Sequence, residues 1–219
     1  MQIPSCREKL IVNLEISGPD SGPCFVFAHG AGADKNSDFM QQVCAGLVQQ
    51  GIRVVRFNFP YMDKRLQDGK KRPPDRAPKL IDAYIDVISQ LDSPVVIGGK
   101  SMGGRMASLL VADERAAALD IKGIACLGFP FHAPGKEPGE RIDHLLAIPK
   151  PMLIVQGTRD AMGTEQEVAD YQLSSNIELK WLEDGNHDLK PRVKSGLTHE
   201  QHIDSAITAV ADFVKKLVK

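Results

Sequence analysis

Short apolar runs alternate along the chain with segments whose apolar positions recur every three or four residues. The runs mark strands covered on both faces, and the recurrences mark amphipathic helices. Leu10–Ile16 reads as an opening strand, closed by the turn chemistry of Ser17-Gly-Pro-Asp-Ser-Gly-Pro23. Cys24–Ala28 follows as a continuous apolar strand that empties into His29-Gly-Ala-Gly-Ala-Asp34. Ser37 is placed to cap a helix carrying Phe39, Met40, Val43, Cys44, Leu47 and Val48, with Gly51 as its stop. Ile52–Phe57 is the next inner strand.

Residues 58–78 show no regular period and are expected as a solvated surface loop. Their basic side chains Lys64, Arg65, Lys70, Lys71, Arg72 and Arg76 leave open a second reading, a cover that recruits anions. Leu80, Ile81, Tyr84, Ile85, Ile88 and Leu91 then define an amphipathic helix. Further strands are expected at Ile121–Leu127, Pro151–Gln156 and Ile177–Leu182. Thr198 with Gln201 forms a capping-box pattern ahead of a last helix striped by Ile203, Ala206, Ile207, Val210, Phe213, Val214 and Leu217. Strands alternating with long helices imply an α/β fold, a mostly parallel sheet of about seven strands covered on both faces. In such sheets ligands sit beyond the carboxyl ends of the strands.

Residues 94–106 are the centre of this arrangement. Pro94-Val-Val-Ile-Gly-Gly-Lys-Ser-Met-Gly-Gly-Arg-Met106 reads as a buried strand, a sharp turn with Ser101 at its tip, and a helix. The pattern G-x-S-x-G needs glycines because a side chain at 99 or 103 would meet the neighbouring backbone. A phosphate loop fails on spacing, since it would need glycine where the chain has Pro94. Taken alone, the five residues also fit a glycine-rich turn that only packs a helix on a strand.

The 27 basic and 28 acidic side chains leave no global field to draw nucleic acid or a membrane surface, so neither is expected as a partner. The six histidines lack zinc spacing, and no metal or other cofactor is expected. No run approaches the ~18 apolar residues of a membrane span, and Asn13 and Glu15 interrupt the stretch nearest to a secretion signal. Cys6, Cys24, Cys44 and Cys126 fall mostly in apolar patterns, as reduced thiols of a cytoplasmic protein do. The length of 219 residues fits one domain over 1–219, and oligomeric state is not legible.

A serine hydroxyl becomes a useful nucleophile when an imidazole accepts its proton and a carboxylate orients that imidazole. Ser101, Asp160 and His187 supply those groups in the chain order Ser, Asp, His, each directly after an expected strand. Asp184 and Asp188 are rival carboxylates, while His199 and His202 belong to the last helix. An oxyanion hole would use the backbone N–H of Met102, after the nucleophile, and that of Ala31. Gly30 and Gly32 would let substrate approach the backbone. His29 is read as ordering its own loop. Phe131 and His132 are candidates to line the substrate pocket, with a proline-stiffened connector as the equal alternative.

In these motifs the chain resembles small α/β-hydrolases of the dienelactone-hydrolase-like, serine-esterase type. His29-Gly-Ala-Gly32, Gly99-Lys-Ser-Met-Gly-Gly104, Phe129-Pro-Phe-His132, Gln156-Gly-Thr-Arg-Asp160 and Gly185-Asn-His187 carry the resemblance. More closely, it resembles a compact bacterial group related to testis-expressed and chromatin-complex hydrolase-like proteins of animals. The resemblance implies a three-layer α/β-hydrolase sandwich with eight strands, of which about seven are legible, and little or no cap domain. Dienelactone hydrolases use cysteine where this chain has Ser101, so their substrate does not carry over. Serine also argues against the family's haloalkane and epoxide chemistry, which uses aspartate.

The expectation is a serine hydrolase that cleaves a small ester or thioester through an acyl-enzyme. A non-catalytic binding or scaffold protein on the same fold is the alternative from another class, and a peptidase or acyltransferase is the alternative among enzymes.

Overall fold

The computed structural model describes residues 13–137 and 139–218. Among them seven strands form one sheet: β1 (Glu15–Ser17), β2 (Cys24–Ala28), β3 (Arg53–Phe57), β4 (Val95–Lys100), β5 (Ile121–Leu127), β6 (Met152–Gly157) and β7 (Ile177–Leu182). Their spatial order is β1-β3-β2-β4-β5-β6-β7. β1 runs antiparallel to β3, and the remaining neighbours are parallel. The helices are α1 (Asp38–Gln49), α2 (Pro60–Asp68), α3 (Ala77–Ile88), α4 (Met102–Val111), α5 (Glu165–Ala169) and α6 (His199–Leu217).

Side chains alternate across each inner strand, so one strand feeds two cores. Cys24, Val26 and Ala28 of β2 join the core under α2, α3 and α4, whereas Phe25 and Phe27 join the core under α1 and α6. β2, β4 and β6 are buried at every position, as the unbroken apolar run of β2 predicts, while β7 at the edge alternates partly buried and exposed positions. This is the three-layer α/β-hydrolase sandwich. The connection from β5 to β6 contains a 3-10 helix at Gly139–Leu145, and among the described residues no helical cap stands over the sheet.

Two expectations need correcting. The opening strand is later and shorter than Leu10–Ile16: residues 10–12 lie outside the described residues, and pairing runs from Glu15 to Ser17. Glu15 sits opposite Arg56 and takes its guanidinium at 2.5 Å, which fixes that register. The stretch 58–78 is not wholly loop, because Pro60–Asp68 is a helix with only Tyr61 and Met62 buried. Two buried residues in nine are too few to produce a visible period.

The caps follow their chemistry unevenly. Thr198 and Gln201 make the full capping box at α6, whereas Ser37 occupies the N-cap of α1 without a side-chain hydrogen bond. Cys24, Cys44 and Cys126 are buried free thiols, and burial pushes each above its ordinary pKa; Cys6 lies outside the described residues. No helix of the described residues is long and apolar enough to cross a membrane.

The parallel register aligns the carboxyl ends of the strands. Ala28 pairs with Gly99, Lys100 with Leu127, and Gly157 with Leu182. The loops that follow β2, β4, β6 and β7 therefore meet along one rim, as expected for a sheet of this class.

Candidate active site

Ser101 leaves β4 in a backbone conformation that L-residues seldom take, φ 51° and ψ −114°. Its N–H donates to the Leu127 carbonyl at 3.0 Å, so the turn is fixed to the sheet. Gly103 makes that turn possible: a Cβ there would lie 2.5 Å from the Ala28 carbonyl oxygen, a fixed backbone atom. As the first residue of α4, Met102 presents an N–H with no intrahelical acceptor.

The rim brings the three expected side chains into series. Ser101 Oγ and His187 Nε2 are 2.8 Å apart, and His187 Nδ1 and Asp160 Oδ2 are 2.8 Å apart. A carboxylate can only accept, so Nδ1 carries the hydrogen and Nε2 is left to accept from the serine hydroxyl. Asp160 is fully buried, while about a quarter of the His187 side chain, 26%, is exposed. Two further donors complete the carboxylate's shell: Gln156 Nε2 to Oδ2 and the Met162 N–H to Oδ1, both at 2.8 Å.

The rival carboxylates are engaged elsewhere. Asp184 receives the Arg192 guanidinium and backbone N–H together with Arg159, and the Arg192 hydrogen bonds hold it well below the usual carboxylate range. Asp188 is largely exposed and faces Lys100 at 3.3 Å. His199 and His202 bond the backbone carbonyls of Asp188 and Leu189 and do not approach Ser101 by any hydrogen bond.

The loop after β2 is held in place by its own imidazole. His29 Nε2 accepts from the Phe59 N–H at 3.1 Å, so Nδ1 is the donor to the Gly30 carbonyl at 2.6 Å. Burial pushes this imidazole down to about 4, which keeps it neutral near pH 7. Tyr61 Oη on α2 donates to the Ala31 carbonyl at 3.0 Å from the other side.

Between this loop and His187 lies a cleft of about 270 Å³, lined by Gly30, Ala31, Gly32, Phe39, Lys100 and Ser101 among others. Phe131 and His132 are not part of it. Phe131 is fully buried, edge-on to Phe129 at 4.9 Å, and His132 turns its Nδ1 to the Ala133 carbonyl. The apolar segment after β5 thus continues the core, which is the connector alternative for these residues. A larger cavity of about 570 Å³ lies between β7 and α6, but its lining holds no histidine or cysteine. Among the described residues no group of three or more His, Cys, Asp or Glu side chains could hold a metal ion.

Lys100, Gln156 and Tyr61 were missed as site residues. Lys100 and Gln156 carry a signal that sequence reading can use, since each is a lone polar residue at the end of a strand whose other positions are buried. Tyr61 sits on the helix whose period was invisible.

Similarity to known proteins agrees with this architecture. The chain is 18% identical to Est1E from Butyrivibrio proteoclasticus, solved with ferulic acid bound, over 94% of this chain and 95% of that one, with a TM-score of 0.69. It is 19% identical to a dienelactone hydrolase from Anabaena variabilis over 94% and 90% of the two chains, with a TM-score of 0.66. A monoacylglycerol lipase from Paleococcus ferrophilus gives 14% identity over 94% and 98%, with a TM-score of 0.67. At these identities the structures speak for the fold alone. Residues 21–215 match the family described as alpha/beta hydrolase domain, and the chain belongs to that family.

Proposed function

We propose that this α/β-hydrolase is a serine hydrolase, a single domain that cleaves a small ester or thioester through an acyl-enzyme. The observation that supports the reading is the series Ser101 Oγ, His187 Nε2, His187 Nδ1, Asp160 Oδ2, with 2.8 Å at both links. In the proposed reaction Ser101 Oγ attacks the carbonyl carbon while His187 takes its proton. Asp160 holds the imidazole and stabilises its charged form. His187 then returns the proton to the leaving alcohol or thiol, and water releases the acyl group by the same steps in reverse.

The amides of Met102 and Ala31 are the proposed oxyanion donors, each worth about 3 kcal/mol in the transition state. Gly30 and Gly32 border the proposed acyl site, whose apolar wall and modest volume suit a short chain. The chemistry as written uses side chains and water alone. The similarity to esterases and a lipase is consistent with ester substrates.

The test is fluorophosphonate labelling with turnover of p-nitrophenyl esters across an acyl-length series. Wild type should label and prefer short chains, and Ser101→Ala should lose at least about a thousandfold in turnover. Absence of labelling and turnover in wild type, or unchanged turnover in Ser101→Ala, would remove the proposal.

A further inference from the structure

We propose that Lys100 is a positioning residue: its ammonium clasps the backbone of His187 and so sets the distance between the imidazole and Ser101. The inference rests on the serine-hydrolase reading for its catalytic consequence, and on geometry for the clasp itself.

Lys100 fills the variable place in G-x-S, directly before the serine. Its Nζ donates to the His187 carbonyl at 2.6 Å, lies 3.3 Å from Asp188 Oδ1 and stands 5.6 Å from the Phe39 ring centroid. The two residues are therefore linked twice. One link runs through the side chains, Oγ to Nε2, and the other runs from the peptide before Ser101 through the lysine to the peptide after His187. Together they close a ring, which restrains the histidine loop against drifting away from the serine.

The loop needs such a restraint because it is built from unusual backbone. Asp184 and Leu189 both have positive φ, 56° and 62°. Three successive carbonyls are each taken by a side-chain donor: His187 by Lys100, Asp188 by His199 and Leu189 by His202. The two histidines tie the loop to α6. Lys100 ties it to β4, the strand that carries the nucleophile.

Space for the clasp is reserved by Gly128, which has φ +66°. A Cβ there would lie 2.6 Å from the His187 carbonyl oxygen and 3.0 Å from Lys100 Nζ.

Burying an ammonium at this place carries a desolvation cost. Lys100 is 8% exposed, and burial lowers its pKa, a cost that Asp188 and, more weakly, Asp160 offset only in part. Asp188 is itself 69% exposed, so the ion pair is screened. A methionine of similar length would fill the same channel without desolvating a charge. What a methionine lacks is a donor aimed at residue 187.

The experiment compares wild type with K100M, K100Q and K100R. It measures kcat and KM on p-nitrophenyl acetate, the melting curve, and the proton NMR signal of the hydrogen shared by His187 Nδ1 and Asp160. K100M and K100Q should lose about tenfold to a hundredfold in kcat with KM within about twofold. The shared-proton signal should shift or broaden while the melt stays cooperative, and K100R should recover part of kcat. The proposal is overturned if kcat stays within about twofold of wild type, if KM carries the loss, if the shared-proton signal is unchanged, or if the variants lose their cooperative melt. Should wild type turn over no ester, the hydrolase reading fails on its own, and the shared-proton signal still decides whether Lys100 positions His187.

Discussion

His29 donates from Nδ1 to the carbonyl of Gly30 at 2.6 Å, and that carbonyl shares a peptide plane with the N–H of Ala31. In a trans peptide the two groups point in opposite directions, so pinning the carbonyl aims the amide proposed to bind the oxyanion. His29→Ala would leave the Gly30 carbonyl and the buried Phe59 N–H without this partner, at a cost of about 1–3 kcal/mol in stability. We expect kcat to fall about tenfold, short of the ~100-fold or more for losing an oxyanion donor outright. Chemical denaturation and steady-state kinetics on one short ester separate the two effects.

Gln156 is the buried partner of Asp160. Its amide N–H₂ faces Asp160 Oδ2, the Phe129 carbonyl and the Gly163 carbonyl, while its oxygen accepts from the Phe129 N–H. Gln156→Glu keeps the shape and replaces donors with a second carboxylate among acceptors. The variant should be destabilised by about 3 kcal/mol or more at neutral pH, with loss of turnover even where it remains folded. A melting curve and activity indistinguishable from wild type would show that Asp160 does not depend on this amide.

The inner strands and the long helices were legible because burial on both faces, or on one stripe, writes itself into apolar spacing. The same logic explains what was not legible. α2 buries only Tyr61 and Met62, so its evidence lay in its ends: Phe59-Pro60 at the start and Gly69, with φ 69°, at the stop. α5 has five residues and shows itself chiefly through the capping box of Thr164 and Glu167. The order Ser101, Asp160, His187 after three strands was readable because parallel strands deliver their carboxyl ends to one rim. Gln156 and Met162 reach Asp160 from four and two positions away, whereas what holds the His187 carbonyl depends on a contact 87 positions apart, which no local pattern encodes.

One buried imidazole, His29, and one half-buried, His144, should make stability fall on mild acidification. Burial pushes His29 and His144 down to about 4, and Arg105 lowers His144 further. In the unfolded chain both bind a proton near pH 6.5, so between about 6.5 and 4 the unfolded state holds more protons and stability drops as pH drops. Asp113, held near 2 by Arg115, loses its contribution only below that window. His144→Gln, which removes the imidazole beside Ser108 Oγ and leaves that hydroxyl its bond to the Arg105 carbonyl, should flatten the decline. Urea unfolding at pH 7, 6 and 5 checks it: equal declines in both proteins would exclude His144 as a source.

The basic segment now points to one residue. Arg72 is paired with Asp68, Lys70 and Lys71 are exposed, and Arg65 Nη1 lies 3.4 Å from the Gly32 carbonyl at the cleft's edge. If the segment favours anionic esters, Arg65→Gln should raise KM severalfold for an anionic ester and leave a neutral one unchanged. Neutralising Lys70, Lys71 and Arg72 together should have a smaller effect that vanishes with added salt. Equal KM changes for both esters in Arg65→Gln would end the idea of anion recruitment.

Two glycines separate the demands of the turn from those of the substrate. At Gly103 a Cβ would meet the Ala28 carbonyl at 2.5 Å and the Ala28 carbon and His29 oxygen at 2.8 Å, all backbone atoms that no side-chain rotation can clear. Gly103→Ala must therefore displace either the serine turn or the loop after β2, and should cost about 1–3 kcal/mol or more. It should also lower turnover of every ester, because both halves of the proposed oxyanion hole move. At Gly32 a Cβ meets nothing within 4 Å, so Gly32→Ala should keep or slightly raise the melting temperature. Its methyl would stand at the cleft that Gly32 lines, so KM should rise with acyl length while acetate is turned over as before. The acyl-length series measures this directly. If Gly32→Ala impairs acetate as much as butyrate, the loop's small residues serve the backbone's own geometry, and the acyl group lies elsewhere.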